Sequence, residues 1–195
     1  MRDSDAFSLG ALYAAAMRAA RGKRRRPPVA RFLLELEPAL CTLRQELVTG
    51  TWRPCVPRLL SVCDPKPRTI SVAPFRDRVV HQALAAVLAH RIERRLVSDS
   101  YACRPGLGTH AALARGRAWA RTYRWFVHLD VAKYFPACDH GIISAQLAAD
   151  HPEPWLRDLC GVILAAGVCE RRRWHFPGDD LFAPLDRAVG LPLGN

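Results

Sequence analysis

Apolar positions recur with helical spacing through the first fifty residues and then break into short runs. Leu9, Leu12, Tyr13, Ala16, Met17 and Ala20 share one helical face, since residues three and four apart stack on the same side of a 3.6-residue turn. Phe32, Leu36, Leu40, Leu43 and Leu47 predict a second buried stripe, with Gly50 as its cap and Pro38 as a kink or boundary. From Val56 to Val72 the runs PRLLSVC and RTISVA, separated by Asp64-Pro65-Lys66-Pro67, predict a hairpin. A long helix follows from Phe75 to Leu96, its apolar face made by Val79, Val80, Ala83, Leu84, Val87, Leu88 and Ile92. Thr109 is placed to cap a helix through about Thr122. Trp125, Phe126, Val127 and Leu129 predict a buried strand ending in Asp130 with an exposed Lys133 beyond it, and Asp139 is placed to cap a helix from His140 to Ala149. The pattern is that of an α+β chain.

Charge narrows the partners. Lys and Arg total 29 against 18 Asp and Glu, a formal net charge of +11 on a chain that is 50% hydrophobic. That much apolar residue supports a folded core, so the surplus favours a polyanion partner over disorder. RGKRRRPP, from Arg21 to Pro28, concentrates the charge after the first helix. Two readings fit it: a phosphate contact or a solvated linker.

The seven cysteines form no CxxC pair and lie in segments that otherwise read as core, which predicts reduced thiols and a cytoplasmic protein. The opening MRDSDAFSLGAL lacks the apolar core of a signal peptide, and no run approaches 18 apolar residues. Secretion and membrane spanning are not expected.

Candidate chemistry gathers in HLDVAKYFPACDH, His128 to His140. A carboxylate at a strand end can carry Mg²⁺ into a cleft where phosphate oxygens complete its shell. Asp130 has that place, but acids at strand ends also serve turns. Arg58, Lys66 and Arg68 on the hairpin could clamp phosphates or stand solvated. Gly106 and Gly108 in SDSYACRPGLGTH can let backbone approach a ligand closely, but they lack the GxGxxG spacing of a dinucleotide site and by themselves read as an ordinary loop and helix cap.

Four blocks in order resemble a known family: DPKPRTISVAPFRDRVVHQAL, DSYACRPGLGTH, RWFVHLDVAKYFPACDH and FPGDDLFAPLDRAVGLPLGN. Together they resemble bacterial reverse transcriptases, nearest those grouped with retrons and diversity-generating retroelements, over about Phe32 to Asn195. The resemblance implies a right-hand polymerase, here the fingers with an incomplete palm. It divides the chain into an N-terminal helix and basic linker (residues 1–31), a fingers-like region (32–123) and the first part of a palm with an inserted hairpin (124–195). It implies RNA-directed DNA synthesis with an RNA template, a DNA or RNA primer, dNTPs and two Mg²⁺ ions.

By the same resemblance, Asp130 matches the first catalytic palm aspartate and the Val131 carbonyl a further metal ligand. Phe135 matches the aromatic wall that excludes a 2′-hydroxyl by shape. Arg68, helped by Lys66, matches the finger cation that meets the triphosphate. Gly190 to Gly194 resembles the glycine turn beside the incoming nucleotide, with Leu193 where retroviral relatives carry glutamine. Arg58, Arg76 and Arg78 are the expected nucleic-acid contacts. No YxDD tetrad occurs, so the metal site is expected to need a further palm and thumb segment. Asp179 and Asp180 precede the glycine turn and match the inserted hairpin instead of the missing pair. A noncatalytic split subunit and a structural accessory protein packing on a partner are the alternatives.

Overall fold

The computed structural model describes residues 6–63, 67–167 and 175–192. Its element order is α1 (Leu9–Ala20), α2 (Pro27–Leu34), α3 (Leu36–Val48), β1 (Arg58–Cys63), β2 (Pro67–Val72), α4 (Phe75–Arg95), α5 (Thr109–Thr122), α6 (Tyr134–Ala137), α7 (His140–Asp150), α8 (Pro154–Ala166) and α9 (Ala183–Asp186). The described fold is therefore rich in helix, with one two-stranded antiparallel sheet. The chain folds as two units, one of residues 1–87 with 133–195 and a second of residues 88–132.

In the first unit, α1 to α3, the start of α4 and α8 enclose one core. Leu12, Ala16, Val29, Leu40, Leu43, Trp52, Phe75, Val79 and Val80 are buried, and Trp155, Leu159 and Ile163 pack against them. Ser8 starts α1 by accepting the Ala11 N–H at 3.2 Å, which satisfies one of the donors a helix start leaves open. The buried arc of α1 is Leu12, Ala15, Ala16, Ala19 and Ala20. Leu9 and Tyr13 are exposed, so the predicted stripe is rotated toward the small residues. Alanines occupy little radius, and a helix packed through them can approach its neighbours closely.

The stripe predicted from Phe32 to Leu47 spans two helices. Glu35 breaks the line at φ −108° and ψ 33°, and Pro38 falls in the first turn of α3, where a missing N–H costs nothing. α3 ends with Thr51 N–H donating to Glu46 C=O at 2.9 Å and Gly50 N–H to Leu47 C=O at 3.3 Å. This pair of bonds satisfies two of the carbonyls the helix leaves open. Edge-to-face contacts between Phe32 and Phe75, with ring centroids 5.0 Å apart, and between Phe7 and Trp155, at 5.1 Å, fix the surrounding helices.

The hairpin forms in the predicted place, its register running from Arg58 opposite Val72 to Cys63 opposite Pro67. Lys66 and most of the predicted turn lie outside the described residues. α4 matches its predicted span, but its apolar face is buried only as far as Leu84. Of the described cysteines, only Cys160 is buried; Cys41, Cys55, Cys63 and Cys103 are exposed instead of core. Burial pushes the Cys160 thiol up to about 11.

The second unit contains the end of α4, a loop and α5. Arg104 pins the loop, donating to Glu93 Oε1 at 2.7 Å and to the Val97 and Ser100 carbonyls at 2.9 Å. Asp99 accepts from Tyr101 at 2.8 Å and Arg115 at 3.0 Å, and these two donors hold its carboxyl below the ordinary value. Thr109 does not cap α5. Gly108 does, at φ 152° without a side-chain bond, which moves Thr109 to the first helical position.

The largest departure is the segment after α5. Trp125, Phe126, Val127 and Leu129 form no strand and are 82–91% exposed. A strand needs a neighbour to take its N–H and C=O groups, and no described strand pairs with this one.

Candidate functional site

The loop around Phe135 is built by a left-handed residue and a short helix. Lys133, exposed at φ 51°, turns the chain into α6, and Ala137 N–H closes the turn on the Lys133 carbonyl at 3.1 Å. Asp139 then caps α7, as its position predicts. One carboxylate oxygen accepts the Gly141 N–H at 2.7 Å and the Ile142 N–H at 3.1 Å. Such a cap contributes about 1 kcal/mol.

Against this loop lies the beginning of the glycine turn. Leu191 N–H donates to the Phe135 carbonyl at 2.8 Å, Gly190 N–H to the Cys138 carbonyl at 2.9 Å, and His140 N–H to the Ala188 carbonyl at 3.0 Å. The buried His140 ring joins the same strap through Nε2, 2.7 Å from the Gly190 carbonyl and fifty residues away in sequence. A carbonyl only accepts, so that nitrogen carries the proton. Gly190 has φ 107°, a conformation that side chains strongly disfavour. Gly167 closes the far side: a Cβ there would lie 2.9 Å from Pro192 Cδ, so its missing side chain admits the strap.

Arg187 organises the outside of this strap. Its guanidinium reaches Asp139 Oδ2 at 2.9 Å and both oxygens of Asp179, at 2.5 and 2.7 Å, while lying over the Phe176 ring. The Arg187 bond and then the Phe176 N–H hold the Asp179 carboxyl down at about 2. Asp180 accepts from the Phe182 and Ala183 N–H groups at 2.8 and 2.7 Å, initiating α9. Both acids of FPGDDLF are thus engaged in building the loop. Sequence reading passed over Arg187; its signal was a lone cation eight residues after Asp179.

Asp130 and Val131 occupy the exposed segment of the second unit. Mg²⁺ requires a near-octahedral set of oxygens, and no group of three His, Cys, Asp or Glu among the described residues could hold an ion. One carboxylate and one carbonyl do not make that set, so the described residues do not fit a resident Mg²⁺.

Phe135, with Arg58, Arg68, Arg76 and Arg78, belongs to the first unit. Residues directly opposite in an antiparallel pair share a face, so the register puts Arg58 and Arg68 toward opposite ends of one hairpin face; both are exposed. Arg76 is committed to the Glu46 carboxylate, with Asp77 Oδ1 3.5 Å away. Asp77 is buried and accepts the Cys55 N–H at 2.8 Å, another contact the sequence did not signal. Arg78 lies over the Phe75 ring, 5.4 Å from its centroid. Gly194 and Leu193 lie outside the described residues, as does Lys66.

No family model matches the chain. It is 25% identical over 156 residues to the COX1/OXI3 intron 1 protein of Saccharomyces cerevisiae, a stretch covering 78% of this chain and 18% of that protein. It is 30% identical over 100 residues to nuclear intron maturase 2, mitochondrial, of Arabidopsis thaliana, covering 51% of this chain and 14% of the relative. With the group II intron-encoded protein LtrA of Lactococcus lactis it shares 25% identity over 134 residues, 67% of this chain and 22% of LtrA. The chain thus spans less than a quarter of the length of these relatives. Over half or more of its own length, it carries a distant similarity to intron-encoded proteins and maturases.

Proposed function

We propose that the chain is the fingers and first palm portion of an RNA-directed DNA polymerase, whose completed form adds dNTPs to a primer on an RNA template. The observation that carries the reading is the strap between the Phe135 loop and the Gly190–Leu191 turn. It joins the two blocks that, in a reverse transcriptase, would flank the sugar and base of one incoming nucleotide. Similarity to a group II intron-encoded protein and to intron maturases supports the same reading, and points to intron RNA as a template or binding partner.

In this assignment Phe135 excludes a ribose 2′-hydroxyl by shape. Arg68, with Lys66, meets the triphosphate, and Gly194 lies beside the nucleotide. Arg58 and Arg78, with Arg76 behind its ion pair, favour the nucleic-acid backbone through charge. Asp130 and the Val131 carbonyl would be two of the ligands for Mg²⁺, two ions in the completed enzyme. That role requires further carboxylates, so nucleotide addition is assigned to the completed polymerase.

The exposed run from Trp125 to Val131 favours a second reading, a split subunit that binds nucleic acid and acts only with another polypeptide. Primer extension separates the two. Residues 1–195 alone are expected not to extend a primed RNA template with dNTPs and Mg²⁺, whereas one polypeptide continuing through a palm aspartate pair and thumb is expected to do so. Synthesis by the short chain would overturn the incomplete-site assignment. Activity restored only when a separate polypeptide is added would favour the split subunit.

A further inference from the structure

The second unit concentrates positive charge on and around α5. No Asp or Glu occurs between Asp99 and Asp130, a stretch that carries Arg104, Arg115, Arg117, Arg121 and Arg124. The two acids that precede it are engaged, Glu93 by Arg104 at 2.7 Å and Asp99 by Arg115 at 3.0 Å. Arg117, Arg121 and Arg124 are exposed and make no ion pair among the described residues.

Aromatic rings stand on the same helix. Arg115, Trp119 and Tyr123 are four residues apart, and the Tyr123 N–H closes on the Trp119 carbonyl at 2.8 Å, so this line runs along one side to the helix end. The Arg115 guanidinium lies over the Trp119 ring, 4.8 Å from its centroid. Asp99 holds that guanidinium while accepting from Tyr101 at 2.8 Å, which steadies the indole before any ligand arrives. Trp119 is nonetheless 42% exposed and Tyr123 66%. Arg117 and Arg121, also four apart, line a different side, and Arg124 follows just past the helix end. A strand crossing α5 obliquely near Tyr123 reaches both lines, because a helix is only about 10 Å across.

α5 buries none of its residues, and the composition of that open surface decides what suits it. Its apolar residues are mainly Ala111, Ala112, Ala114, Ala118 and Ala120, too small to seat a helix in a bilayer interface, which takes an apolar face of Leu, Phe and Trp. Arginines unmatched by any acid call for a partner of repeating negative charge. A single-stranded nucleic acid supplies phosphates at regular intervals and flat bases beside them, and cations interleaved with open rings meet both.

Resting on the polymerase reading for the choice of RNA, we propose that α5 is a surface for single-stranded RNA, with bases stacked on Trp119 and Tyr123 and phosphates taken by Arg117, Arg121 and Arg124. Arg115 is a positioning residue that holds the Trp119 ring. The second unit thereby grips a strand in its own right, independently of the hairpin arginines of the first.

The test is fluorescence anisotropy of residues 1–195 with a labelled single-stranded RNA 12-mer at several salt concentrations, and with heparin as a polyanion that has no bases. Trp119→Ala and Tyr123→Ala are each expected to weaken RNA binding about fivefold or more, the lower end of losing one stacked base, with the salt slope and the heparin affinity unchanged. Trp119→Phe, which keeps a ring, should recover most of that loss. Arg117→Gln and Arg121→Gln should weaken both ligands and flatten the RNA salt slope by about 0.7 each, the share of one phosphate contact on a single strand. Tyr123 lies past the helix and is exposed, so its variant carries the test even where Trp119→Ala fails to fold. If Tyr123→Ala and Arg121→Gln bind RNA as tightly as Arg44→Gln, a charge removed from the first unit, the α5 surface is wrong while the polymerase reading stands. Variants that keep RNA but lose adsorption to phosphatidylglycerol vesicles would make α5 a membrane-facing helix and overturn the proposal. Equal losses for RNA and heparin in the ring variants would overturn the stacking. If the parent binds no RNA even at low salt, the proposal and the polymerase reading both fall.

Discussion

The helical core of the first unit and the extended run of the second are both rich in large apolar residues, yet they end in opposite environments. Leu12 on α1 is 0% exposed; Leu129 is 85% exposed and Phe126 91%. The difference lies in where the backbone finds its partners. α1 satisfies its own amides and needs only a surface to lie on, which α3 and α4 provide. The run from Trp125 to Leu129 has strand-forming side chains, but its amides require a second strand. A core is thus finished within the described residues, while the segment that carries Asp130 presents its apolar side chains to solvent.

The widest gap between the regions should appear in activity. In a polypeptide completed through the palm and thumb, Asp130→Asn is expected to slow nucleotide addition by about 10²–10³-fold or more, the scale of losing an electrostatic anchor at a reacting centre. RNA affinity should stay near the parent's, because the basic surface is intact. Single-nucleotide incorporation and a binding titration check both halves, and parent-like incorporation would remove Asp130 from the site.

Stability should sort the regions the other way. Leu12→Ala is expected to cost about 2–5 kcal/mol, because it leaves a cavity among buried side chains. Leu129→Ala should stay within about 0.5 kcal/mol in the chain of residues 1–195, as exposed substitutions do. Urea unfolding of the two variants makes the comparison directly. A large loss for Leu129→Ala would mean that the exposed run is covered in solution.

Phe135→Val tests the loop that the strap holds. In the completed polymerase it is expected to retain dNTP incorporation and narrow the preference over rNTPs by about tenfold or more, a change of shape in one pocket. Unchanged sugar selectivity would leave Phe135 as a packing residue.

The smallest effect is a titration. The Asp179 carboxyl lies at about 2 instead of the ordinary 3.8, so its folded form is favoured above the unfolded value. That contribution is complete above about pH 4 and lost as pH falls through 2. Carboxyl NMR should find the low midpoint, and Arg187→Gln should return it toward the ordinary value. An unchanged midpoint would mean that Arg187 is not the cause.

What the sequence made legible follows from the same contrast. Helix existence, the hairpin and the Asp139 cap were readable because each depends on residues within a few positions. The break at Glu35 was half visible, since Pro38 marked a boundary without locating it. The rotated face of α1 was not readable: alanine weighs little in a hydrophobic pattern but permits the closest packing. The strand before Asp130 was misjudged because β-propensity reports side chains suited to a sheet, and cannot report whether a neighbouring strand is present. The Arg187 hub escaped for a related reason, since Asp139 and Asp179 meet it only after α7 and α8 have folded back.

That return has a consequence for the order in which the molecule assembles. The bond from His140 to the Gly190 carbonyl closes a loop of fifty residues, whereas the bonds within α7 and α8 close over three or four. Chain entropy makes the long closure the slower event, so both helices should exist before the strap is fastened. A growing chain would have to present the Phe135 loop open, and seal it only when residues 187–191 arrive.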